Sequence, residues 1–445
     1  LIGVALGEHP SYICPPHEGW MVLIGPSLIG GRLNSPPSKS YSHRAIAIAH
    51  LSDKRSVLRG VSLARDVLAT LRAAEMMGAS LQVRDGEGRA DIVVEPPDLP
   101  TNPEDVVYCG GSGTTLRFYT AISTLTEKGY TVLTGNEGLR KRPVGPLIEA
   151  INSLGGWAVS AGLNGLPPII VRGGGLKGGE AVLPGNVSSQ FFSALLIAGT
   201  MSEEGMRLRY EGELVSKPYL EMTAYVLGRA CSRVRLGDVL EVEPIRPQGL
   251  DMSIPGDFGL AAPFMVMSSV TGGKLEVVGL DRKVPQADKL IVEILRSFGV
   301  SVEWRNELLV VEGRPTRPAI LDLRDAPDLL PLAAVLAVFA RGRSVIRGVA
   351  HARLKESDRV RNMRVELEKA GVDVKELEDG LIVDGTGGVR RCPTLESHRD
   401  HRIFMALTAL AAASKEGCEV RGEEWVSDSY PNFLKDAQSL GLVIS

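Results

Sequence analysis

The sequence predicts an α/β protein of two domains, in which one unit of helices and strands occurs six times, three copies in each domain. Three observations support this fold class. The chain has 445 residues, which is long for a single hydrophobic core. A helical segment that ends at a glycine and precedes a strand-like run recurs every 70 to 78 residues. A second helix, apolar nearly all round, recurs in the same register, which predicts that it is buried.

The glycine-terminated helices define the repeat. Their segments are LRAAEMMGASLQV, LIEAINSLGGWAV, EMTAYVLGRACSRV, VEILRSFGVSVEW, VELEKAGVDVKEL and LKDAQSLGLVIS. We expect each glycine to follow its helix at the position where a positive φ is needed. These glycines are Gly78, Gly156, Gly228, Gly299, Gly371 and Gly441.

The buried helices begin with small or polar residues and continue into sequence rich in Ala and Leu. Their six copies open with SKSYSHRAIAIA, GSGTTLRFYTAIS, VSSQFFSALLIAG, GDFGLAAPFMVMS, PDLLPLAAVLAVFA and DHRIFMALTALAA. Two strands, often joined by a glycine or polar turn as in VRDGEGRADIVV, close each unit.

The last copy stops just after Gly441, so we expect strands near the N terminus to complete it. One domain is therefore predicted to be discontinuous, with residues 21–34 and 255–445, and the other to span residues 35–254. Residues 1–20 lack the basic and apolar regions of a signal peptide. The strand-like MVLIG that begins at Met21 predicts that the fold starts there, so we expect residues 1–20 to be a poorly ordered or peripheral extension.

Composition argues against several classes of function. The formal net charge of -3 does not suit a general nucleic-acid binder. No apolar run approaches the ~18 residues that a membrane span needs. The five cysteines are widely spaced without a C-x-x-C pair, and the histidines lack partners at metal-ligand spacing. This pattern argues against a disulfide framework and a zinc site, and favours a reducing cytoplasm.

Polar side chains collect where the buried helices begin, which a repetitive solenoid scaffold would not require. The stretch PPSKSYSHR places Lys39, Ser40 and Arg44 at a helix N terminus. Unpaired N–H groups and the helix dipole favour an anion there. The alternative is a serine N-cap, Ser38 or Ser40, with surface charges nearby.

Further donors precede the next two buried helices. The glycine-rich GGSGTTLR lets backbone N–H groups approach a ligand, although a simple turn is the alternative. Ser188, Ser189 and Gln190 begin the third buried helix. The loop GLRKRPVG carries Arg142, either on a solvated charged face or as a grip on carboxylate or phosphate.

The second half adds carboxylates beside cations. In HARLKESDRVR, Glu356 and Arg359 form either an ordinary surface ion pair or a carboxylate paired for proton transfer. Asp328 suits an N-cap, and Arg402 follows in DHRIF. Two half-sites facing each other across hinges near Ser35 and Ile254 predict a small substrate with phosphate and carboxylate groups, enclosed by domain closure.

The motifs PPSKSYSHR, GGSGTTLRF, LRKRP, VSSQFFSALL, SKPY, LKESDR and DHRIFMA occur in this order from about Met21 onward. They resemble the 5-enolpyruvylshikimate-3-phosphate (EPSP) synthases, also called 3-phosphoshikimate 1-carboxyvinyltransferases, and HARLKESDR is similar to the archaeal members. The resemblance implies the enolpyruvyl transferase fold, an inverted α/β barrel of three βαβαββ units in each domain.

The resemblance also implies the reaction. The enolpyruvyl group of phosphoenolpyruvate would pass to the 5-hydroxyl of shikimate 3-phosphate, in the shikimate pathway of aromatic amino-acid biosynthesis. Phosphate would leave through a tetrahedral intermediate, without a metal or organic cofactor. Asp328 would accept the hydroxyl proton, and Glu356, assisted by Lys39, would donate a proton to the methylene carbon.

The resemblance assigns binding residues by position. Shikimate 3-phosphate would be held by Lys39, Ser40, Arg44, Ser188, Ser189, Gln190, Ser216, Tyr219, Asp328, His351 and Lys355. Phosphoenolpyruvate would be held by Lys39, Gly113, Arg142, Gln190, Arg359 and Arg402. Gly113 implies sensitivity to glyphosate, which the family binds in the phosphoenolpyruvate site.

Three positions depart from the pattern of the family. Asp428 stands where many members have a lysine, which puts one phosphoenolpyruvate contact in doubt. Gly111 stands where asparagine is common, and DFGLAAPF lacks the usual serines after Asp257.

Other classes remain as alternatives. UDP-N-acetylglucosamine enolpyruvyl transferases share the fold, but have Lys-Asn in place of Lys39-Ser40 and a reactive cysteine in the loop that reads GLRKRP here. RNA 3′-phosphate cyclases need a nucleophilic histidine, for which His398 and His401 are candidates. A non-catalytic phospho-metabolite binding protein is the third alternative. We expect a monomer with no nucleic-acid or membrane partner.

Overall fold

The computed structural model describes residues 20–86 and 88–444, so all of the predicted extension except Trp20 lies outside the described residues. Within this part of the chain the α-helices are α1 Lys39–Leu51, α2 Arg65–Met76, α3 Gly113–Ile122, α4 Gly145–Ser153, α5 Ser189–Gly199, α6 Lys217–Arg229, α7 Phe258–Thr271, α8 Ile291–Ser297, α9 Leu330–Phe339, α10 Arg359–Lys369, α11 His401–Ala412 and α12 Phe433–Ser439. Short 3-10 helices lie at Ser123–Leu125, Leu139–Lys141, Ala287–Leu290, Pro327–Leu329, Ala350–Leu354 and Glu423–Asp428.

The strands of the first half are β1 Met21–Ile24, β2 Gly31–Asn34, β3 Ser56–Ser62, β4 Ser80–Gly86, β5 Arg89–Glu95, β6 Val107–Tyr108, β7 Tyr130–Thr134, β8 Trp157–Ser160, β9 Ile169–Arg172, β10 Gly179–Pro184, β11 Met206–Glu211, β12 Val234–Arg235, β13 Leu240–Val242 and β14 Asp251–Ser253. Those of the second half are β15 Lys274–Val278, β16 Ser301–Arg305, β17 Leu308–Glu312, β18 Ile320–Asp322, β19 Gly342–Arg347, β20 Asp373–Leu377, β21 Gly380–Gly385, β22 Leu395–Glu396 and β23 Cys418–Arg421.

One arrangement recurs in all of the four-stranded sheets. In the sheet of β6 to β9, β6 is parallel to β7, and β7 is antiparallel to β9, which pairs with β8. The buried helix α3 connects β6 to β7, and α4 connects β7 to β8. This is a βαβαββ unit, and its recurrence confirms the predicted repeat.

The last unit is completed by a strand from near the N terminus, as the sequence predicts. β22 is parallel to β23, and β1 is antiparallel to β23 with Met21 opposite Arg421 and Ile24 opposite Cys418. β1 therefore takes the place that a hairpin strand occupies in the other sheets.

Two strands are exchanged where the chain passes between its halves. β2 precedes α1 in the sequence but pairs with β15 of the second half. β14 precedes α7 but pairs with β3 of the first half. Between them, Pro37 and Gly256 form an antiparallel bridge, so the two crossing segments lie side by side.

Apolar side chains form two cores. One contains residues from 22–33 and 258–442, and the other contains residues from 41–254 together with Val284. The predicted burial of the second helices is confirmed, because every residue of α7, α9 and α11 is buried. Tyr219 packs against both cores.

The predicted positive φ is confirmed at Gly78, Gly299, Gly371 and Gly441. It is wrong for Gly156, because Gly155 takes the left-handed conformation one residue earlier. It is also wrong for Gly228, which lies inside α6, while Cys231 adopts the left-handed conformation after that helix. The glycine pattern thus locates helix ends only to within a few residues.

Within the described residues a disulfide forms, contrary to the expectation from the cysteine spacing. Cys392 and Cys418 are bonded, with their Cα atoms 5.3 Å apart. Cys418 begins β23 and Cys392 lies just before β22; because these strands are parallel neighbours, their starts meet. Cys109 and Cys231 are free. Along the described ranges, no helix combines the length and apolar character needed to cross a membrane.

Candidate active site

The predicted site residues meet in one cleft between the two cores. Every residue given a binding or catalytic role lines it: Lys39, Ser40, Arg44, Gly113, Arg142, Ser188, Ser189, Gln190, Ser216, Tyr219, Asp328, His351, Lys355, Glu356, Arg359 and Arg402. The first residues of α1, α3, α5 and α11, the N-cap of α7 and the turn before α9 all lie in its wall. Six helix N termini, each the positive end of a helix dipole, therefore favour an anionic ligand in the cleft.

The start of α1 is both capped and anchored. Ser38 accepts a hydrogen bond from the N–H of Tyr41 at 3.4 Å, so the N-cap interpretation is confirmed beside the cleft position. Arg44 is only 2% exposed. Its Nε donates to Thr223 Oγ1 at 2.8 Å and its Nη2 donates to the carbonyl of Tyr219 at 3.0 Å. Burial lowers the pKa of Arg44 to about 10, so it stays charged at neutral pH.

Lys39 lies between carboxylates of both halves. Its Nζ donates to Asp66 Oδ2 at 3.0 Å, and its backbone N–H donates to Asp257 Oδ2 at 3.2 Å. Burial disfavours the charged amine, but the carboxylates of Asp66 and Glu356 outweigh burial and raise the pKa of Lys39 above its ordinary value. Lys39 is therefore a cationic donor at neutral pH.

Gly113 makes room for the guanidinium of Arg142. A Cβ on Gly113 would lie 2.8 Å from both Cζ and Nη1 of Arg142. Arg142 is 6% exposed and donates from Nη1 to Glu356 Oε1 at 3.2 Å. The loop GLRKRPVG thus places one arginine inside the cleft, so the solvated-face alternative is wrong for Arg142.

Arg359 joins the two candidate catalytic carboxylates. Its Nη1 donates to Asp328 Oδ1 at 2.5 Å, and its Nη2 donates to Glu356 Oε2 at 2.6 Å. Its Nε donates to Asp400 Oδ2 at 2.7 Å. Because Arg359 is 1% exposed, the surface-pair alternative is wrong. The N-cap alternative for Asp328 is also wrong, since Leu329 occupies that position of α9.

Asp328 is held as a carboxylate. Burial raises the pKa of its carboxyl, but Lys355, Arg359 and Arg402 outweigh burial and lower that pKa below its ordinary value. Tyr219 donates its hydroxyl to Asp328 Oδ2 at 3.3 Å. An ionised, hydrogen-bonded carboxylate at this position can accept a proton.

Glu356 is also held as a carboxylate, because neighbouring cations outweigh the effect of burial. Burial raises the pKa of its carboxyl, and the cations Arg142 and Arg359 outweigh burial and lower that pKa well below its ordinary value. The two carboxylates therefore share Arg359 but differ in their other neighbours, which is how paired carboxyl groups take different roles.

Gln190 is oriented by a residue that sequence reasoning missed. Arg117 Nη1 donates to Gln190 Oε1 at 2.5 Å, and Gln190 Nε2 donates to Thr114 Oγ1 at 3.0 Å. The Arg117 guanidinium also lies 5.0 Å from the ring centre of Phe191. The available signal was a single arginine inside the otherwise apolar TTLRFYTAI.

The histidines are separated by the fold. Burial, followed by the charge of Lys355, lowers the pKa of His351 to about 4, and its Nε2 lies 3.4 Å from Ser216 Oγ. Burial lowers the pKa of His401 well below its ordinary value. His398 instead contacts Glu366, with Nε2 2.6 Å from Oε1.

Two of the three departures from the family pattern meet in space. A Cβ on Gly111 would lie 3.7 Å from Asp428 Oδ2 and 4.0 Å from Asp66 Oδ1. Asp428 Oδ1 also lies 3.9 Å from Arg65 Nη1. Burial and then the carboxylate of Asp66 raise the pKa of Asp428 to about 7. Gly111, which replaces the common asparagine, thus lies beside the carboxyl of Asp428, which replaces the lysine of many members.

Three carboxylates of the cleft were missed in the sequence. Asp66 lies in the first turn of α2, Asp257 caps α7, and Asp288 lies in the 3-10 helix Ala287–Leu290. Asp257 had a signal, because it directly precedes a buried apolar helix. No local pattern marks Asp66 or Asp288, because the tertiary fold alone brings them to the cleft.

Comparisons with known proteins agree with this geometry. The family model for EPSP synthase (3-phosphoshikimate 1-carboxyvinyltransferase) matches residues 24–436. A 3-phosphoshikimate 1-carboxyvinyltransferase from Korarchaeum cryptofilum is 56% identical over 95% of this chain and 99% of that protein. One from Methanothermobacter thermautotrophicus is 41% identical over 92% of this chain and 96% of that protein.

A solved structure agrees as well. EPSP synthase from Acinetobacter baumannii superposes with a TM-score of 0.79 at 26% identity, covering 96% of this chain and 99% of that chain. The match confirms the predicted enolpyruvyl transferase fold. The motifs, the repeat, the cleft and these relatives agree, and the chain belongs to the EPSP synthase family.

Proposed function

We propose that this chain transfers the enolpyruvyl group of phosphoenolpyruvate to the 5-hydroxyl of shikimate 3-phosphate and releases phosphate. The observation that carries the proposal is the position of Arg359. Its guanidinium contacts Asp328 and Glu356 at 2.5 and 2.6 Å, so a candidate base and a candidate acid lie on either side of one cation. Addition across the double bond of an enol phosphate needs such a pair.

The cleft offers donors for two anionic substrates. Shikimate 3-phosphate would be held by Lys39, Ser40, Arg44, Ser188, Ser189, Gln190, Ser216, Tyr219, Asp328, His351 and Lys355, which all line it. Phosphoenolpyruvate would be held by Lys39, Gly113, Arg142, Gln190, Arg359 and Arg402, also in its wall. Arginine forks suit phosphate and carboxylate oxygens.

The reaction proceeds in two steps, an addition followed by an elimination. In the addition, the 5-hydroxyl oxygen bonds to C2 of phosphoenolpyruvate, Asp328 takes the hydroxyl proton, and Glu356 with Lys39 delivers a proton to C3. In the elimination, the bond from C2 to the phosphate oxygen breaks, C3 returns one proton to Glu356, and phosphate leaves with the proton that Asp328 took from the hydroxyl. The cations that hold the phosphate stabilise it as it departs.

Binding of phosphoenolpyruvate changes the protonation state of Glu356. Its pKa is low because Arg142 and Arg359 lie beside its carboxylate. An anionic group of phosphoenolpyruvate that bonds to Arg142 withdraws part of this stabilisation, which raises the pKa of Glu356. Glu356 thereby becomes able to hold and deliver a proton.

Several narrower statements belong to the same proposal. Glyphosate would occupy the phosphoenolpyruvate site, which Gly113 leaves open beside Arg142. Residues 21–34 with 255–445 and residues 35–254 would close on the substrates as two bodies. A monomeric state and a cytoplasmic location remain predictions from the sequence.

The direct test is phosphate release from phosphoenolpyruvate. We expect release with shikimate 3-phosphate and none with UDP-N-acetylglucosamine as the acceptor. Asp328→Ala should lower kcat by about 10² or more, since a positioned general base contributes about this factor. The exposed Asp98→Asn variant is the matched control for loss of a carboxylate.

Other outcomes distinguish the alternatives. Release with UDP-N-acetylglucosamine alone would indicate the related transferase. No release with either acceptor, together with compaction in solution scattering on adding shikimate 3-phosphate, would indicate a binding protein. A glyphosate inhibition constant far above the KM for phosphoenolpyruvate would contradict the inhibitor prediction.

A further inference from the structure

Gly259 lies in the first turn of the buried helix α7 without a conformational reason to be glycine. Its φ is not among the positive values of the described residues, and glycine costs a helix about 1 kcal/mol relative to alanine. Its position has a steric reason instead. A Cβ there would overlap Asp288 Oδ2 and lie 2.8 Å from Asp288 Cγ and 2.9 Å from Arg402 Nη1.

The guanidinium of Arg402 is hydrogen-bonded to the backbone of this glycine. Its Nη1 donates to the carbonyl of Gly259 at 2.9 Å. Its Nη2 lies 3.6 Å from Asp288 Oδ2 and 3.7 Å from Asp328 Oδ2, outside hydrogen-bond distance of both. Its Nε is buried and has no hydrogen-bond partner within the described part of the chain. The Arg402 guanidinium thus lies between two carboxylates, and its Nε and Nη2 are available to hydrogen-bond an anionic substrate.

The segment that carries Asp288 is held against α7 by the neighbouring Gln286. The side chain of Gln286 accepts from the N–H of Phe258 at 3.1 Å and donates to the carbonyl of Gly256 at 2.8 Å. These bonds attach the 3-10 helix of Asp288 to the start of α7. Asp288 is 6% exposed, and its Oδ1 is buried with no hydrogen-bond partner in residues 20–86 and 88–444.

We propose that Asp288 is a positioning residue that sets the affinity for phosphoenolpyruvate through Arg402, and that Gly259 is glycine to admit its carboxyl. The inference rests on the proposed function, in which Arg402 holds phosphoenolpyruvate. When Asp288 is ionised, its carboxylate competes with the substrate anion for Nη2 of Arg402. When Asp288 is protonated, that nitrogen is released to the substrate.

Burial is the main reason that Asp288 can change its charge near neutral pH. Burial raises the pKa of Asp288 to about 7, although Arg402 opposes the shift. The charged or titratable groups that act on it from the packed elements include Arg402, Asp328, Asp257, Lys355 and Tyr219.

The test compares Asp288→Asn with the wild-type protein, measuring kcat and the KM for phosphoenolpyruvate from pH 6 to pH 8.5. The amide keeps the shape and cannot ionise. The ratio of the wild-type KM to the variant KM cancels ionisation of the substrate itself. We expect a ratio near one at pH 6 that rises at least about threefold by pH 8.5, with the KM for shikimate 3-phosphate unchanged.

A ratio that stays constant with pH would overturn the inference, since a purely structural role has no reason to follow the charge of Asp288. This failure differs from failure of the proposed function. If the wild-type protein releases no phosphate with shikimate 3-phosphate, both are contradicted; if it does and the ratio is constant, only the role of Asp288 is contradicted.

A second set of variants tests the steric claim. Gly259→Ala should raise the KM for phosphoenolpyruvate by about tenfold, because its Cβ displaces Asp288 and Arg402. Asp288→Ala added to Gly259→Ala should recover most of this loss, because it removes the two nearest carboxyl atoms. The control is Gly228→Ala, because a Cβ at this helical glycine would have no heavy atom of the described residues within 4 Å apart from its chain neighbours and the backbone of its own helix. No increase for Gly259→Ala, or no recovery in the double variant, would overturn the claim.

Discussion

At the scale of single residues, the cleft is built from charges that neutralise one another. Lys39 pairs with Asp66, Arg142 pairs with Glu356, and Arg359 contacts Asp328, Glu356 and Asp400. Buried ion pairs are costly to desolvate and contribute little net stability. Their concentration in one cleft is therefore better explained by substrate binding and proton transfer than by stability.

Gly113→Ala should weaken binding of phosphoenolpyruvate. The added Cβ would lie 2.8 Å from Cζ of Arg142, which forces the guanidinium away from the start of α3. We expect the KM for phosphoenolpyruvate to rise by about tenfold while the KM for shikimate 3-phosphate changes little. Steady-state kinetics with each substrate varied in turn measures both constants. Equal increases in the two constants would contradict a local effect on Arg142.

Asp428→Asn should stabilise the protein at alkaline pH. The pKa of Asp428 is raised to about 7 from 3.8, so between these values the folded state holds a proton that the unfolded state has released. The free energy of unfolding therefore falls as pH rises through this window. Asparagine removes that loss, and we expect the gain in Tm over wild type to grow from pH 4 to pH 7 and then level off.

The control for this measurement is Asp98→Asn, which removes a carboxylate at an exposed position. Thermal unfolding of wild type and both variants at several pH values gives the comparison. A gain in Tm that is largest at pH 4 would show that the carboxyl of Asp428 is not the group that loses stability.

At the scale of elements, the function depends on where buried helices begin. In each βαβαββ unit, the N-terminal end of one apolar helix lies at the cleft. The helix interiors are mostly buried and apolar, with exceptions such as Arg44 in α1 and Arg117 in α3, whereas their first residues differ from unit to unit. A repeat of common architecture thus brings six different sets of polar side chains, donors such as Lys39 and acceptors such as Asp257, to one cleft.

Glycines in the repeat have distinct physical roles, and two of them give opposite predictions. Gly228 is exposed within α6 and has space for a Cβ. We expect Gly228→Ala to stabilise the protein by up to about 1 kcal/mol through helix propensity. A Cβ on Gly156 would lie 2.8 Å from Leu176 Cδ2 and 2.9 Å from Ile151 Cγ2, so Gly156→Ala should destabilise it. Urea denaturation measures both changes, and the same sign for both would contradict the argument.

At the scale of the whole molecule, strand exchange decides which segments fold alone. Residues 35–254 contain β14, the strand that completes the sheet of β3. Residues 255–445 lack β1 and β2, whose partners are β23 and β15. The first fragment is therefore complete in strands, while the second exposes two sheet edges and the apolar surface beneath them.

We expect the fragment 35–254 to unfold cooperatively when it is expressed alone, and the fragment 255–445 to lack a cooperative transition. Appending residues 21–34 to the second fragment through a short flexible linker should restore the transition, because Ile24 and Ile444 are bridge partners and the ends lie close together. Circular dichroism during urea denaturation measures this. Cooperative unfolding of 255–445 by itself would contradict the predicted discontinuous domain.

The repeat, the buried helices and the polar residues at their starts were predictable from the amino-acid sequence. These features are visible because hydrophobic periodicity and glycine punctuation are local. The order of motifs carried the family, and all of its candidate residues lie in the cleft.

Which residues meet in the cleft depends on contacts between distant segments of the chain. Asp66 and Asp288 come from segments with no distinguishing pattern, and Gly259 is explained only by the carboxyl packed against it. The disulfide of Cys392 with Cys418 depends on the pairing of parallel strands. Contacts between segments distant in the chain arise from strand pairing and packing, which local periodicity does not encode.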